Sequence, residues 1–499
     1  MKKFIAVILA MFALVGLLGA GYLSREIEVL GHTVRAYKTE ITLNGDEIGS
    51  ISELSAELKK LIFLRNVDLG NFHLFEDEME SLSAEFPKVT FVYDPYVMIA
   101  GNAIPVDAEE LDLGNAIGFN IDVLTSELSQ LKKLKKVNFG DFALTESEIS
   151  ELQKKFPDVE FTAVMIYDIA GKSYRENIEE IDLSGTRPGD SLTDELSRFP
   201  ALKKLNLSKT EIATDKLVEI KKAYPDMDIY AEAELGGTVF NTDVEHIDLN
   251  FTDVGDFDTF FDTVSLFYSL KKIELCDSGY SNEQMEALQS AYPDTKFVWR
   301  VYLGKWSLRT DAVAFSVLIA DYSHKRMTSE DIEVLKYCTD LQALDLGHQS
   351  ITDISVIGEY LTELRILILA DNRITDLSPL SNLKHLHYLE FFVNQVTDLS
   401  PLAECRELVD LNISYNYRLS DITPILDLPL LERLWLEHVA VSAQDVNLLR
   451  ETYPKAKIVS AGTGSIDQGW RSHERYFAMI DMFHNDYMSE SFSKYDGGL

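Results

Sequence analysis

The sequence predicts an α/β solenoid, in which short parallel strands alternate with helices and turns that stack on one another. Three segments, LRILILADN, LHYLEFFVN and LVDLNISYN, begin at Leu364, Leu386 and Leu408 and therefore stand 22 residues apart. Their apolar residues alternate as in a strand with one buried face. One turn of this size cannot bury its leucines alone, so neighbouring turns must stack. The same three segments end on an Asn, namely Asn372, Asn394 and Asn416.

The frame L-x-x-L-x-L-x-x-N at a fixed period resembles the leucine-rich repeats of bacterial internalin-like surface proteins. This resemblance implies a leucine-rich-repeat solenoid with a curved parallel sheet, short helices and turns on its convex side, and an adhesin or receptor role at a cell surface. The repeated Asn is interpreted as a structural residue whose buried amide satisfies backbone groups of the adjacent turns.

Residues 1–23 predict a signal peptide or an N-terminal membrane anchor formed by an apolar helix. Lys2 and Lys3 precede an uncharged run from Phe4 to Leu23. A basic start followed by an apolar run is what a secretory signal requires, and the run is also long enough to span a bilayer. Either alternative places the rest of the chain outside the cytoplasm, secreted or at the cell surface.

Residues 24–300 predict four degenerate repeat modules of about 68 residues each. Each module contributes three strands, and a helix is expected between the second and third, as at the capping box of Thr145 and Glu148. A Gly recurs near the module boundaries, and each is interpreted as the turn of a protruding β-hairpin. These glycines are Gly31, Gly101, Gly171, Gly237 and Gly304.

Residues 301–460 predict regular 22-residue repeats, and residues 461–499 predict a C-terminal cap and tail. Within the latter, Trp470 to Phe483 is expected to form a short amphipathic helix that covers the last turn, because exposed solenoid ends need covering. Cys338 and Cys405 occupy positions of core leucines, and three cysteines do not make a disulfide framework.

The charge balance excludes one class of partner. The chain carries 82 acidic and 46 basic residues, a net charge of −36, whereas binding of nucleic acid requires a basic surface. Solubility and a basic partner are the two interpretations that remain. The chain contains no H-E-x-x-H, G-x-S-x-G, P-loop, C-x-x-C or G-x-G-x-x-G motif. We therefore expect a non-enzymatic protein without a metal or cofactor.

The strand residues between the leucines are expected to face solvent on the concave side and to form a ligand-binding surface. Aromatic and aliphatic side chains dominate its middle, and such a surface suits a protein or glycan ligand. Replacing Tyr388, Phe392 and Trp435 by Ala is expected to abolish ligand capture and to leave the fold intact. The predicted ligand-binding residues are Ile366, Ile368, Tyr388, Glu390, Phe392, Asp410, Tyr415, Arg433 and Trp435.

Three alternatives remain open at this point. In the first, a tail or hairpin of the chain itself covers this surface. In the second, the protein is a structural spacer or scaffold of the cell envelope, since the first four modules carry opposite charges on neighbouring strands. In the third, the protein is a cell-wall-active enzyme subunit in which Glu390 and Asp410 act as paired carboxylates. This would require a raised pKa in a shielded cleft.

Overall fold

The computed structural model describes Met11 and residues 25–317 and 325–486. The chain forms two compact units, residues 1–210 and 211–499, and each is described by itself. Apart from Met11, the predicted signal peptide or anchor lies outside the described residues, as do residues 487–499. Among the described residues, no helix has both the length and the apolar composition needed to cross a bilayer. The predicted division into 1–23, 24–300, 301–460 and 461–499 stays a prediction.

The first unit repeats a strand, a helix, a strand, a second helix and a third strand. Its parallel ladders run through Glu40–Thr42, Asn66–Asp68 and Thr90–Val92, through Glu110–Asp112, Lys136–Thr145 and Glu160–Ile169, and through Glu180–Asp182 and Lys204–Asn206. Leu74–Phe75 pairs with the start of a hairpin strand. The helices are Ile51–Leu58, Glu76–Glu85, Ile121–Leu128, Glu146–Lys155 and Leu192–Leu196, and Gly45–Glu47 is a 3₁₀ turn.

The second unit begins with the helix Thr214–Ala223 and the strand Asp228–Tyr230. A three-stranded parallel ladder follows, formed by His246–Asp248, Lys272–Glu274 and Lys296–Val298. The helices Phe257–Val264 and Asn282–Ala291 connect its strands. Later in the unit the α-helices are Ser355–Tyr360, Ala443–Thr452 and Glu474–Asn485, and the 3₁₀ helices are Glu330–Tyr337, Ser378–Asn382, Ser400–Glu404, Thr423–Ile425 and Asp467–Ser472.

A parallel sheet of seven strands forms the centre of the second unit. The residue at the middle of each strand points into the core, and Leu344, Leu367, Leu389 and Leu411 are fully buried there. Their flanking residues point to the opposite face, because successive side chains of a strand alternate. The strands are Ala314–Ser316, Ala343–Asp345, Ile366–Ile368, Tyr388–Glu390, Asp410–Asn412, Arg433–Trp435 and Lys457–Val459.

The three repeated Asn side chains connect consecutive turns. The Asn394 carboxamide oxygen accepts from the Ile374 backbone N–H at 2.9 Å, and its Nδ2 donates to the Leu369 and Phe391 carbonyls at 2.9 and 3.0 Å. Asn372 and Asn416 repeat this arrangement one turn earlier and one turn later. Each amide thus satisfies buried backbone groups of its own turn and of the turn before it.

The sequence Asp-Leu-Ser-Pro, which recurs at residues 376–379 and 398–401, forms hydrogen bonds within its own turn. Asp376 Oδ1 accepts from the Ser378 backbone N–H at 2.8 Å, and Asp398 Oδ1 accepts from the Ser400 N–H at the same distance. In both turns Pro follows within the first positions of the 3₁₀ helix, where a missing N–H costs nothing. The motif therefore starts the helical turn that returns the chain to the next strand.

Antiparallel hairpins occur at all five predicted glycines. They pair Glu26–Val29 with His32–Arg35, Pro95–Ile99 with Asn102–Pro105, Glu160–Ile169 with Lys172–Arg175, Glu232–Leu235 with Thr238–Asn241, and Arg300–Leu303 with Trp306–Arg309.

The predicted capping box at Thr145 is also present, with Glu148 N–H donating to Thr145 Oγ1 at 3.2 Å. In the first module the sequence indicates strands over 41–43, 67–69 and 89–91. The structure has Glu40–Thr42, Asn66–Asp68 and Thr90–Val92, so the first two strands begin one residue earlier and the third begins one residue later. Cys338 and Cys405 are buried, as expected of core residues.

Candidate functional site

Eight of the nine predicted ligand-binding residues lie on one face of the seven-stranded sheet, but this face is not open to solvent. We call it the strand face and define it by the outward residues of the central strands, Ile366, Ile368, Tyr388, Glu390, Asp410, Arg433 and Trp435, together with Phe392. Tyr388 is 1% exposed and Trp435 is 0% exposed, and the others are also buried. The expectation that these side chains face solvent is therefore wrong; of the nine predicted residues only Tyr415 is partly exposed.

Residues 467–486 of the same chain, here called the C-terminal segment, cover the strand face. The Trp470 ring is fully buried, with its centroid 5.3 Å from that of Tyr388 and 5.0 Å from the Trp435 centroid. Met479 and Met482 pack into the same apolar cluster as Ile366 and Ile368. The alternative in which a tail covers the surface is thus the arrangement that the structure has.

The C-terminal segment differs from the single helix expected over Trp470 to Phe483. Gln468 and Gly469, with φ values of 61° and 90°, lie just before Trp470, and the extended backbone of His473 separates the 3₁₀ turn that contains Trp470 from the helix that follows. His473 then caps the helix Glu474–Asn485 by accepting the Arg475 N–H on its Nδ1 at 3.2 Å. At its end, Asp486 Oδ1 accepts from Val313 and Ala314 N–H groups at 2.9 and 3.0 Å. The segment therefore reaches the first strand of the sheet and does more than cover the last turn.

Asp410 is the charged centre of this contact. Arg433 of the neighbouring strand donates to it through Nε and Nη2, both at 2.9 Å. Arg475 of the C-terminal segment donates through Nε at 2.9 Å and through Nη2 at 2.8 Å. Burial alone would raise the pKa of the Asp410 carboxyl, but the two guanidinium groups outweigh burial and hold the pKa below its ordinary value.

Glu390 is a second buried charge in this contact, and it lies on the strand next to that of Asp410. Its carboxylate accepts from Tyr388 Oη at 2.6 Å, from Trp470 Nε1 at 2.9 Å and from Arg471 Nη2 at 2.8 Å. Burial lowers the pKa of the Arg471 guanidinium, but the charge of Glu390, the hydrogen bond to it and the neighbouring tyrosines together outweigh burial, and the net pKa is raised. Two of these three donors come from the C-terminal segment, so the segment supplies most of the hydrogen bonds of this buried charge.

Two further buried carboxylates lie near the same face. Burial raises the pKa of Asp345 to about 6, although the Gly347 N–H and the Ser316 hydroxyl each donate to it at 2.9 Å. Glu437 is fully buried, and neither of its side-chain oxygens has a hydrogen-bond partner among the described residues. Burial is also the main cause that raises the Glu437 pKa, followed by the charge of Asp467.

Residues directly after the strands form a separate, partly exposed edge. His348, Asp371, Val393, Tyr415 and His438 all have positive φ, between 51° and 60°. Tyr415 and His438 stack with ring centroids 4.5 Å apart, and Tyr417 lies 5.9 Å from Tyr415. This edge keeps aromatic surface in contact with solvent, whereas the strand face does not.

The paired-carboxylate arrangement needed for an enzyme is absent from Glu390 and Asp410. A general acid needs a raised pKa so that it holds a proton near neutral pH, whereas the pKa of Asp410 is lowered by two arginines. Glu390 forms an ion pair with Arg471 at 2.8 Å. Among the described residues, no group of three or more His, Cys, Asp or Glu side chains is arranged to hold a metal ion.

Sequence reasoning named the sheet residues of this site but gave no such role to Trp470, Arg471 and Arg475. Their signal was an amphipathic stretch with an aromatic residue and two arginines after the last repeat. The alternation of the strands shows which side chains leave the core, but it does not show what covers them.

Comparison with known proteins agrees with the repeat frame. Residues 362–404 match the family model described as leucine rich repeats, in two copies. This match confirms the predicted leucine-rich repeats over residues 362–404. No curated protein matches the chain.

Several solved structures match the chain at low identity. An internalin of Listeria monocytogenes is 16% identical, with 60% of this chain and 87% of that chain covered and a TM-score of 0.24. A leucine-rich-repeat protein of Leptospira interrogans is 14% identical, with 81% and 91% covered and a TM-score of 0.24. The ectodomain of a plant membrane receptor kinase of Arabidopsis thaliana is 15% identical, with 78% and 40% covered and a TM-score of 0.23.

The repeat assignment rests on the family model and on the sheet described above. Leucine-rich repeats present extended binding surfaces to other molecules, so their presence here indicates a protein-interaction function.

Proposed function

We propose that this chain is a non-enzymatic protein-recognition module, exported to the cell surface or secreted, that binds a polypeptide partner through the strand face. In the state described, the C-terminal segment occupies that face, and the partner takes its place. The basic, apolar N-terminal stretch of residues 1–23 supports the export.

One observation carries the proposal: the strand face already binds a polypeptide segment. A helix and a turn are held there by an aromatic ring between two aromatic walls and by arginines on buried carboxylates. Aromatic and Arg anchors in desolvated pockets are typical of binding hot spots. A face with these properties suits a peptide better than a glycan, because its carboxylates are matched by guanidinium groups.

The test uses the C-terminal segment, because the strand-face residues are themselves structural. Replacing Tyr388, Phe392 and Trp435 by Ala, which the sequence suggested as a mild change, removes three buried aromatic side chains and is expected to cost several kcal/mol, about 3–5 for each ring. We define the release variant as Trp470→Ala, Arg471→Ala and Arg475→Ala together. It leaves Asp410 bound to Arg433 and Glu390 bound to Tyr388.

The release variant is expected to retain more partner protein from a cell-surface extract than the wild type does. Hydrogen exchange should show faster exchange in residues 467–486, with the seven-stranded sheet still protected. Phe477→Ala is the matched control, because Phe477 is 62% exposed on the outer side of the same helix and its loss should change neither property. Adding Asp410→Asn to the release variant should lower the capture again.

A structural spacer is the second candidate function, and the surface charges favour it. Directly before strands of the first unit, Lys135 pairs with Glu109 at 2.6 Å and Lys203 pairs with Glu179 at 2.8 Å, and both pairs are exposed. A surface that pairs its own charges in this way offers little to a ligand. If the release variant opens the segment but captures no more protein than Phe477→Ala, the spacer function is the one that remains.

A further inference from the structure

The chemistry of the strand face specifies the kind of polypeptide that fits it. An aromatic slot between Tyr388 and Trp435 holds the Trp470 ring. Two carboxylates flank this slot, Glu390 on one strand and Asp410 on the next. All of these groups except the Trp470 ring belong to the sheet, so they stay in place when the C-terminal segment leaves.

The two carboxylates differ in the hydrogen bonds that they keep after the C-terminal segment has left the strand face. Asp410 keeps the two hydrogen bonds from Arg433, whereas Glu390 keeps only the Tyr388 hydroxyl among the three donors described above. A buried carboxylate without a cation is costly in an apolar setting. The opened face therefore favours a partner that brings a cation to Glu390 and a second cation to Asp410.

We propose that the partner presents a turn followed by the start of a helix with the pattern Trp-Arg-x-x-x-Arg, in which the ring fills the aromatic slot and the two guanidinium groups bind Glu390 and Asp410. The inference rests on the proposed function and adds the chemical class of the ligand to it. The pattern follows from the spacing of Trp470, Arg471 and Arg475, which reach three adjoining places on the face.

The contacts select arginine over lysine. Arg475 uses Nε and Nη2 at the same time, one on each oxygen of Asp410. A guanidinium presents these donors in a fixed fork that matches a carboxylate, whereas an ammonium group is a single point charge. Arg471 is held beside the rings of Phe392 and Tyr476, at 6.0 and 5.5 Å from their centroids, which also favours a planar cation.

The experiment measures binding of labelled peptides to the full-length release variant, which presents the face without its own three anchors. The native peptide spans residues 465–486. A second peptide carries Arg471→Gln and Arg475→Gln, a third carries both arginines as Lys, and a fourth carries Phe477→Ala. Fluorescence anisotropy gives the dissociation constants, and circular dichroism checks that the release variant keeps the secondary structure of the wild type.

We expect the native and Phe477→Ala peptides to bind alike, and the Gln peptide to bind about tenfold more weakly or worse. The Lys peptide should lie between them. A second variant tests whether the peptide arginines act through Glu390. Adding Glu390→Gln to the release variant should weaken binding of the native peptide but have little further effect on binding of the Gln peptide. Such coupling between Glu390 and the peptide arginines is not produced by a general loss of folding.

Equal binding of the native and Gln peptides would overturn the inference. If the native peptide does not bind while the release variant captures a cellular protein, the ligand pattern is wrong and the proposed function stands. If neither the peptide nor any protein is captured, both are overturned.

Discussion

Glu437 shows how the site depends on single residues. Its carboxylate is buried, and no hydrogen-bond donor reaches either oxygen among the described residues. The backbone of Gly462 passes so close that a Cβ at this position would lie 1.9 Å from Glu437 Oε1. A side chain at position 462 would have to displace this carboxylate, so the chain that leads to the C-terminal segment closes directly over an unpaired carboxyl group.

Replacing Glu437 by Gln should raise the free energy of unfolding at pH 7 by on the order of 1 kcal/mol, because an unpaired buried charge is costlier than an unpaired amide. Since burial raises the folded-state pKa of Glu437 above its ordinary value of 4.5, the folded state binds more protons than the unfolded state just above that value. Wild-type stability therefore falls as pH rises through this window. The advantage of the variant should vanish below pH 4.5 and be complete above the raised pKa.

Denaturant unfolding of the two proteins across this pH range measures the effect. Glu451→Gln is the control, because it makes the same change of charge at an exposed site. A stability difference at Glu437 that does not vary with pH would contradict the account.

At the scale of the element, one turn of the repeat is the natural unit, and its Asn is the link to the turn before. The helices, hairpins and turns were predictable because their signals are local, such as the Thr145 capping box and the Leu364, Leu386 and Leu408 frame. The covering of the strand face was not predictable from these signals. Its decisive contacts join Arg475 to Asp410 and Trp470 to Glu390, which are 65 and 80 residues apart in sequence. Periodicity identifies the residues that leave the core, but pairings at that distance leave no trace in it.

Asn394→Ala tests the link between turns. It removes the acceptor of the Ile374 N–H and the donor to the Leu369 carbonyl, both in the preceding turn. Since each unpaired buried backbone group costs about 1–3 kcal/mol, we expect a loss of roughly 3 kcal/mol in the free energy of unfolding. Gln395→Ala, one residue later at an exposed position, should cost much less. A similar loss in both variants, measured by urea unfolding, would argue against the role assigned to the amide.

At the scale of the whole molecule, the excess of acidic residues sets the behaviour in solution. The net charge of −36 means that 36 of the 82 acidic residues have no basic residue to balance them. The exposed ion pairs are of the kind that contributes little to stability. Repulsion among the remaining carboxylates therefore opposes the compact state.

We expect the melting temperature to rise by a few degrees when the salt concentration increases from about 10 mM to about 150 mM, because the screening length shortens from about 30 Å to about 8 Å. Differential scanning calorimetry in sodium chloride measures this, and choline chloride should give the same result if screening is the cause. A melting temperature that falls with salt would mean that the ion pairs outweigh the repulsion.

The position of the C-terminal segment in the chain also has a consequence for biosynthesis. Residues 467–486 leave the ribosome after all seven strands of the sheet that they cover. During translation, the sheet therefore presents Ile366, Tyr388 and Trp435 as an uncovered apolar surface, and this surface is covered only when the C-terminal segment has been synthesised. A nascent chain paused after Val459 would be a client for a holding chaperone, and a stop codon at Gly462 would leave an aggregation-prone product.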